Sequence, residues 1–122
     1  MKNKGGISMY KFQSKLERDG EGGDLLFNKW IWIGNGYYLS IQCSKYHYCS
    51  PKKNIKIQDY EEYEVSIIGK RGNDCIVENN KSFNKEIKEI FDKYEDDGVM
   101  GYVPASDVEK LYLLMLKEWG EE

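Results

Sequence analysis

A chain of 122 residues with 40% hydrophobic and 32% charged residues has the size and balance of one globular domain. No run approaches the roughly 20 apolar residues of a membrane-spanning helix, and a formal charge of −3 disfavours non-specific binding to duplex nucleic acid. Three cysteines argue against a closed disulfide framework, and without an apolar N-terminal signal the expected compartment is the cytoplasm.

Residues 1–8 stand apart from the rest. Lys4-Gly5-Gly6 can be encoded by a bacterial ribosome-binding sequence, with Met9 at the usual spacing behind it. Residues 1–8 are therefore expected to be either upstream sequence read as protein, with native translation starting at Met9, or a genuine short flexible tail, a disordered or non-native extension in front of a single domain over residues 9–122. The chain has no threonine, one alanine, and sixteen lysines against two arginines. An AT-rich bacterial or phage genome encodes that kind of composition.

In chain order, residues 9–16 alternate weakly and predict a first strand. Asp19 to Asp24 is rich in glycine and acidic residues and reads as a loop. Residues 25–33 end in Trp30-Ile31-Trp32-Ile33, apolar on both faces, and predict a central strand. Gly34-Asn35-Gly36 is a hairpin signal, with residues 37–44 returning. A long connection over 45–59 leads to a strand over 60–68 with Tyr63, Val65 and Ile67 on one face. A turn over 70–74 lets Cys75-Ile76-Val77 pair back. Phe83, Ile87, Ile90, Phe91 and Tyr94 recur at helical spacing, with Ser82 as expected N-cap and Gly98 as stop. After an apolar link over 99–104, Ser106-Asp107-Val108-Glu109 fits a capping box. Val108, Leu111, Tyr112, Met115 and Trp119 form the core stripe of that second helix. Leu113, Leu114 and Leu116 widen its apolar surface enough to predict contact with a second subunit. Strands followed by helices predict an α+β domain: an antiparallel sheet of four to five strands with two C-terminal helices packed on one face.

The most unusual stretch is Leu39 to Lys52, LSIQCSKYHYCSPK. It holds the only histidine, two of three cysteines and one of two prolines. Strand alternation turns Leu39, Ile41 and Cys43 to the core, and Tyr38, Ser40, Gln42 and Ser44 outward. That polar and aromatic row continues to Tyr46, His47, Tyr48 and Ser50, beside Lys45, Lys52, Lys53 and Lys56. Lysine serves phosphate as a mobile point charge, and tyrosine faces stack on bases. The ligand-binding set is therefore Tyr38, Gln42, Ser44, Lys45, Tyr46, His47, Tyr48, Ser50, Lys52 and Lys53, and the expected ligand is nucleotide-like.

Other chemistries fit less well. Cys43, His47, Cys49 and Cys75 lack the spacing of a zinc knuckle, so no metal is expected. His47 and Cys49 with Asp59, Glu61 or Glu62 could form a small hydrolase, but no hydrolase signature accompanies them. The acidic runs at 59–64 and 95–97 could mimic nucleic-acid phosphates towards a basic partner.

The LSIQCSKYHYCSPK string, the following YEVSII strand and the late GYVP before a helix resemble small phage and prophage proteins over residues 37–68 and 101–114. Where those sequences often carry arginine after Ser50-Pro51, this chain has Lys52. The resemblance implies antagonism of bacterial host defence. That would mean either sequestering a nucleotide signal or, as anti-CRISPR proteins do, blocking a defence protein. The expectation is thus a non-catalytic, cofactor-free homo-oligomer in the host cytoplasm.

Overall fold

The structure is a computed structural model that describes residues 9–19, 26–79 and 83–120. It is an α+β domain, as the order of predicted elements implied. A short helix, α1 (Lys11–Lys15), precedes the hairpin of β1 (Ile31–Gly34) and β2 (Tyr37–Gln42). The long β3 (Glu62–Arg71) turns into β4 (Asp74–Val77), followed by α2 (Lys85–Tyr94), the hairpin of β5 (Glu95–Asp96) and β6 (Val99–Pro104), and α3 (Ala105–Trp119). All strand pairs are antiparallel, in the order β1-β2-β3-β6-β5. β6 borders the first half of β3, and β4 the second half of the same edge.

One face of the sheet carries Leu39, Ile41, Tyr63, Val65, Ile67 and Val103, all fully buried. α3 covers this face with the predicted stripe of Val108, Leu111, Tyr112, Met115 and Trp119. Leu113 stays exposed, while Leu114 and Leu116 pack partly against the core. α2 adds Ile87, Ile90 and Phe91. Tyr37 stacks on Trp119 with ring centroids 3.8 Å apart, and Asn35 Nδ2 donates to the Trp119 carbonyl at 2.9 Å, which ties the hairpin tip to the end of α3. Asn35 and Gly36 take positive φ of 52° and 84°, the signs a two-residue hairpin turn demands. No described helix is long and apolar enough to cross a membrane.

Several sequence expectations change. The segment expected to open the sheet folds as α1 because a distant group caps it: the Glu109 carboxylate accepts from the Lys11 and Phe12 amides at 3.1 and 3.0 Å. Glu109 is therefore not the capping-box partner of Ser106. α3 begins directly after Pro104, one residue before Ser106, and no side chain caps it. α2 is capped by Asn84, whose side chain accepts from the Ile87 amide at 2.9 Å; Ser82 lies outside the described residues, as do residues 1–8 and most of the expected 19–24 loop.

The strand of alternating Trp and Ile is an edge, not a centre. Ile31 and Ile33 are buried, but Trp30 and Trp32 are 44% and 46% exposed on the face opposite α3. The 99–104 link is a sixth strand, and Gly98, read as a helix stop, belongs with Asp97 to the β5–β6 turn, at φ of 87° and 57°. An Asp-Gly pair favours a hairpin for the same reason Asn-Gly does.

Candidate functional site

On the face opposite α3, the register sets Tyr38 opposite Ile68, Ser40 opposite Ser66 and Gln42 opposite Glu64. Two features border this row: the loop after β2 and a cleft beside β2.

The loop is built around Ser44, which is fully buried. Its carbonyl accepts from the His47 amide at 3.3 Å and the Cys49 thiol at 3.0 Å. Its hydroxyl accepts from the Tyr46 amide at 3.1 Å and shares a 2.7 Å hydrogen bond with His47 Nδ1. The His47 carbonyl in turn accepts from the Cys49 amide at 2.9 Å and from Lys52 Nζ at 2.7 Å. Polar groups thus turn inward, and the residues between them, Tyr46 and Tyr48, project outward at 59% and 57% exposure.

Tyr48 rests on a bulge in β6. Gly101 and Tyr102 together oppose Glu64, because the β3–β6 register shifts between Tyr63 and Val65. Tyr102 takes φ of 53°, a conformation a bulky residue adopts only where its surroundings enforce it, and its amide donates to the Tyr48 carbonyl at 2.9 Å. A Cβ on Gly101 would stand 3.2 Å from Tyr48 Cβ, so glycine permits the close approach. Glu64 Oε1 accepts from the Tyr48 amide at 3.0 Å. Lys52 Nζ lies 5.3 Å from the Tyr48 ring and 5.6 Å from the Tyr102 ring; Lys45 Nζ lies 5.3 Å from the Tyr46 ring. Ser50 joins the loop to the sheet, its amide donating to the Glu62 carbonyl at 3.1 Å, before a cis bond to Pro51. Lys53 is exposed, and its carbonyl accepts from the Tyr60 hydroxyl.

Buried groups here are held neutral. Burial pushes His47 below its ordinary 6.5; Glu64 opposes this, and Arg18 and Lys52 reinforce it. Burial also raises the Cys49 thiol and pushes Cys43 up to about 11. A protonated thiol donating to a carbonyl is a poor nucleophile. Among the described residues, no three His, Cys, Asp or Glu side chains gather as a metal-binding group.

The cleft, of about 480 Å³, lies between the chain leading into β1 and the face of β2. Phe27, Trp30 and Tyr38 line it with Asn28 and Gln42, and Asp19 and Lys29 also border it. Gln42 is sealed: Oε1 accepts from the Asn28 amide at 2.7 Å, and Nε2 donates to the Asn28 carbonyl and to Ser40 Oγ, both at 3.0 Å. Arg18 secures the frame from behind, donating to Asn28 Oδ1 at 3.1 Å, to the Cys43 carbonyl at 2.6 Å and to the Ile55 carbonyl at 3.2 Å. Phe27 joins cleft and loop, meeting the His47 ring edge-on at 5.4 Å.

The ten residues singled out from the sequence therefore divide. Tyr38 and Gln42 line the cleft; Ser44 and His47 are loop interior, and Ser50 ties the loop to β3; Lys45, Tyr46, Tyr48, Lys52 and Lys53 form the loop exterior. Sequence reasoning missed Phe27, Trp30 and Tyr102. The two-residue spacing of Trp30 and Trp32 is a usable signal, because it places both on one strand face. Arg18 and Tyr102 carried no local signal. No family model matches the chain, and no curated protein or solved structure matches it either.

Proposed function

We propose that the chain is a non-catalytic binding protein that captures a small nucleotide-like ligand, such as a signal of host immunity. One arrangement supports this reading. Lys45 and Lys52 hold their ammonium groups 5.3 Å from the rings of Tyr46 and Tyr48, both more than half exposed. Charge for a phosphate and an aromatic face for a base are thus presented side by side. Tyr38 adds a third ring, and Lys53 further charge. The neutral, internally bonded Cys49 and His47 favour capture over turnover. The resemblance to phage proteins points the same way, and the exposed Leu113 of α3 suits a homo-oligomer. The test is ligand capture by Tyr46→Ala and Lys52→Ala, with the fold checked by circular dichroism. Loss in both supports the reading, and unchanged binding in both contradicts it.

A second reading is an inhibitor of a host defence protein. The outward projection of Tyr46 and Tyr48 favours it, because exposed tyrosines are frequent anchors in protein interfaces. A host protein retained by the native chain but not by a Tyr46→Ala, Tyr48→Ala double variant would carry that reading instead.

A further inference from the structure

The cleft beside β2 has a physical origin. In the register of the β1–β2 hairpin, Asn28 falls opposite Gln42, but the two backbones do not pair there. The Gln42 amide stands between them and bonds both the amide and the carbonyl of Asn28. The chain is held a side chain's length away from β2, and the cleft opens in that gap. Its volume of about 480 Å³ falls in the usual range of small-molecule sites.

The walls and floor restrict the occupant. The rings of Trp30 and Tyr38 are 5.8 Å apart and inclined at 58°; Tyr38 also meets Trp32 edge-on at 5.0 Å, whereas Trp30 keeps 44% of its surface exposed. A third ring can lie against the exposed indole of Trp30, with Tyr38 beside it. The floor amides of Asn28 and Gln42 are committed to the frame, so the floor gives shape rather than hydrogen bonds. Polar selection falls to the border. There the exposed Asp19 carboxylate offers hydrogen-bond acceptors, while Lys29 is paired with Glu17 at 3.1 Å. Carboxylate oxygens accept and do not donate, which favours a ring edge rich in N–H groups.

We propose that this cleft seats a purine ring with an N–H donor edge, as guanine has, beside Trp30 and Tyr38 and facing Asp19. This rests on the binding-protein reading and locates the ring within it, leaving the loop tyrosines and lysines to flank the remainder of the ligand.

The test titrates the whole chain with GMP, AMP and UMP, taking affinities by calorimetry for the native chain and every variant, and following the Trp30 indole signal by NMR in the chains that retain it. GMP is expected to shift that signal and to bind about tenfold more tightly than UMP. Trp30→Leu should weaken GMP about tenfold or more. Asp19→Asn, an exposed substitution that does not endanger the fold, should reduce GMP to the level of AMP. GMP binding that survives both substitutions and disappears in Tyr46→Ala would overturn the cleft assignment and leave the binding-protein reading standing. No response to GMP at millimolar concentration would overturn the cleft assignment, and the binding-protein reading falls with it only if the native chain also releases no anionic aromatic compound on heating.

Discussion

The side-chain amide of Gln42 pairs with the main chain of Asn28 as a neighbouring strand would, accepting from its amide at 2.7 Å and donating to its carbonyl at 3.0 Å. Asn28 reciprocates, its own side chain donating to the Ile41 carbonyl at 2.9 Å. The edge of the sheet is thereby closed by side chains, and the cleft is the space they prop open. Gln42→Leu leaves the Asn28 amide and carbonyl buried without partners. It is expected to lower stability by about 1–3 kcal/mol, read as a reduced urea midpoint. An unchanged midpoint would show that the pairing holds nothing in place.

His47 makes the loop sensitive to acid. Burial lowers its folded-state pKa below 6.5, so below pH 6.5 the unfolded chain binds the proton more readily than the folded one. Its contribution is complete above pH 6.5 and is lost as the pH falls through 6.5 towards the lower folded value. Denaturation midpoints between pH 7.5 and 5 should fall more steeply for the native chain than for His47→Gln. Parallel slopes would contradict the assignment.

Tyr102 tests the strain in the bulge. Tyr102→Gly and Tyr102→Ala both remove the ring over Lys52, but only alanine retains a Cβ at φ of 53°. The glycine variant is expected to be more stable than the alanine variant by about 1 kcal/mol, measured by thermal or chemical melting. Equal stabilities would mean that the backbone is unstrained.

The cysteines should differ in reactivity. Cys43 and Cys49 are buried, with thiol pKa values raised by burial, whereas Cys75 is exposed. Iodoacetamide at neutral pH should label the folded chain at Cys75 and reach the other two only after denaturation. Rapid labelling of Cys49 in the folded chain would revive the hydrolase alternative.

The parts legible in the sequence were those whose pattern is local. The stripe from Val108 to Trp119 and the row of Tyr63, Val65 and Ile67 follow from periodicity, and Asn35-Gly36 from turn chemistry. The rest depended on distant partners. Residues 11–15 are helical because Glu109, far along the chain, caps them. The apolar alternation around Trp30 and Trp32 looks like burial on both faces, but no helix among the described residues covers the outer one. At the site, alternation correctly turned Gln42 outward, yet it carries no information that Asn28 seals that position. In the same way, sequence spacing put His47 among the tyrosines, and only the hydrogen bonds around Ser44 separate the buried histidine from its exposed neighbours.

The central claim is capture of a nucleotide-like ligand without turnover. Its most direct test is to purify the chain from bacterial cells, release its contents by heat and identify them by mass spectrometry. Tyr38→Ala and Tyr46→Ala variants prepared in the same way serve as controls. The expected result is an anionic aromatic compound released intact from the native chain, rebound unmodified on addition to fresh protein, and depleted in the variants. Release of nothing, or conversion of the compound on rebinding, would contradict the account.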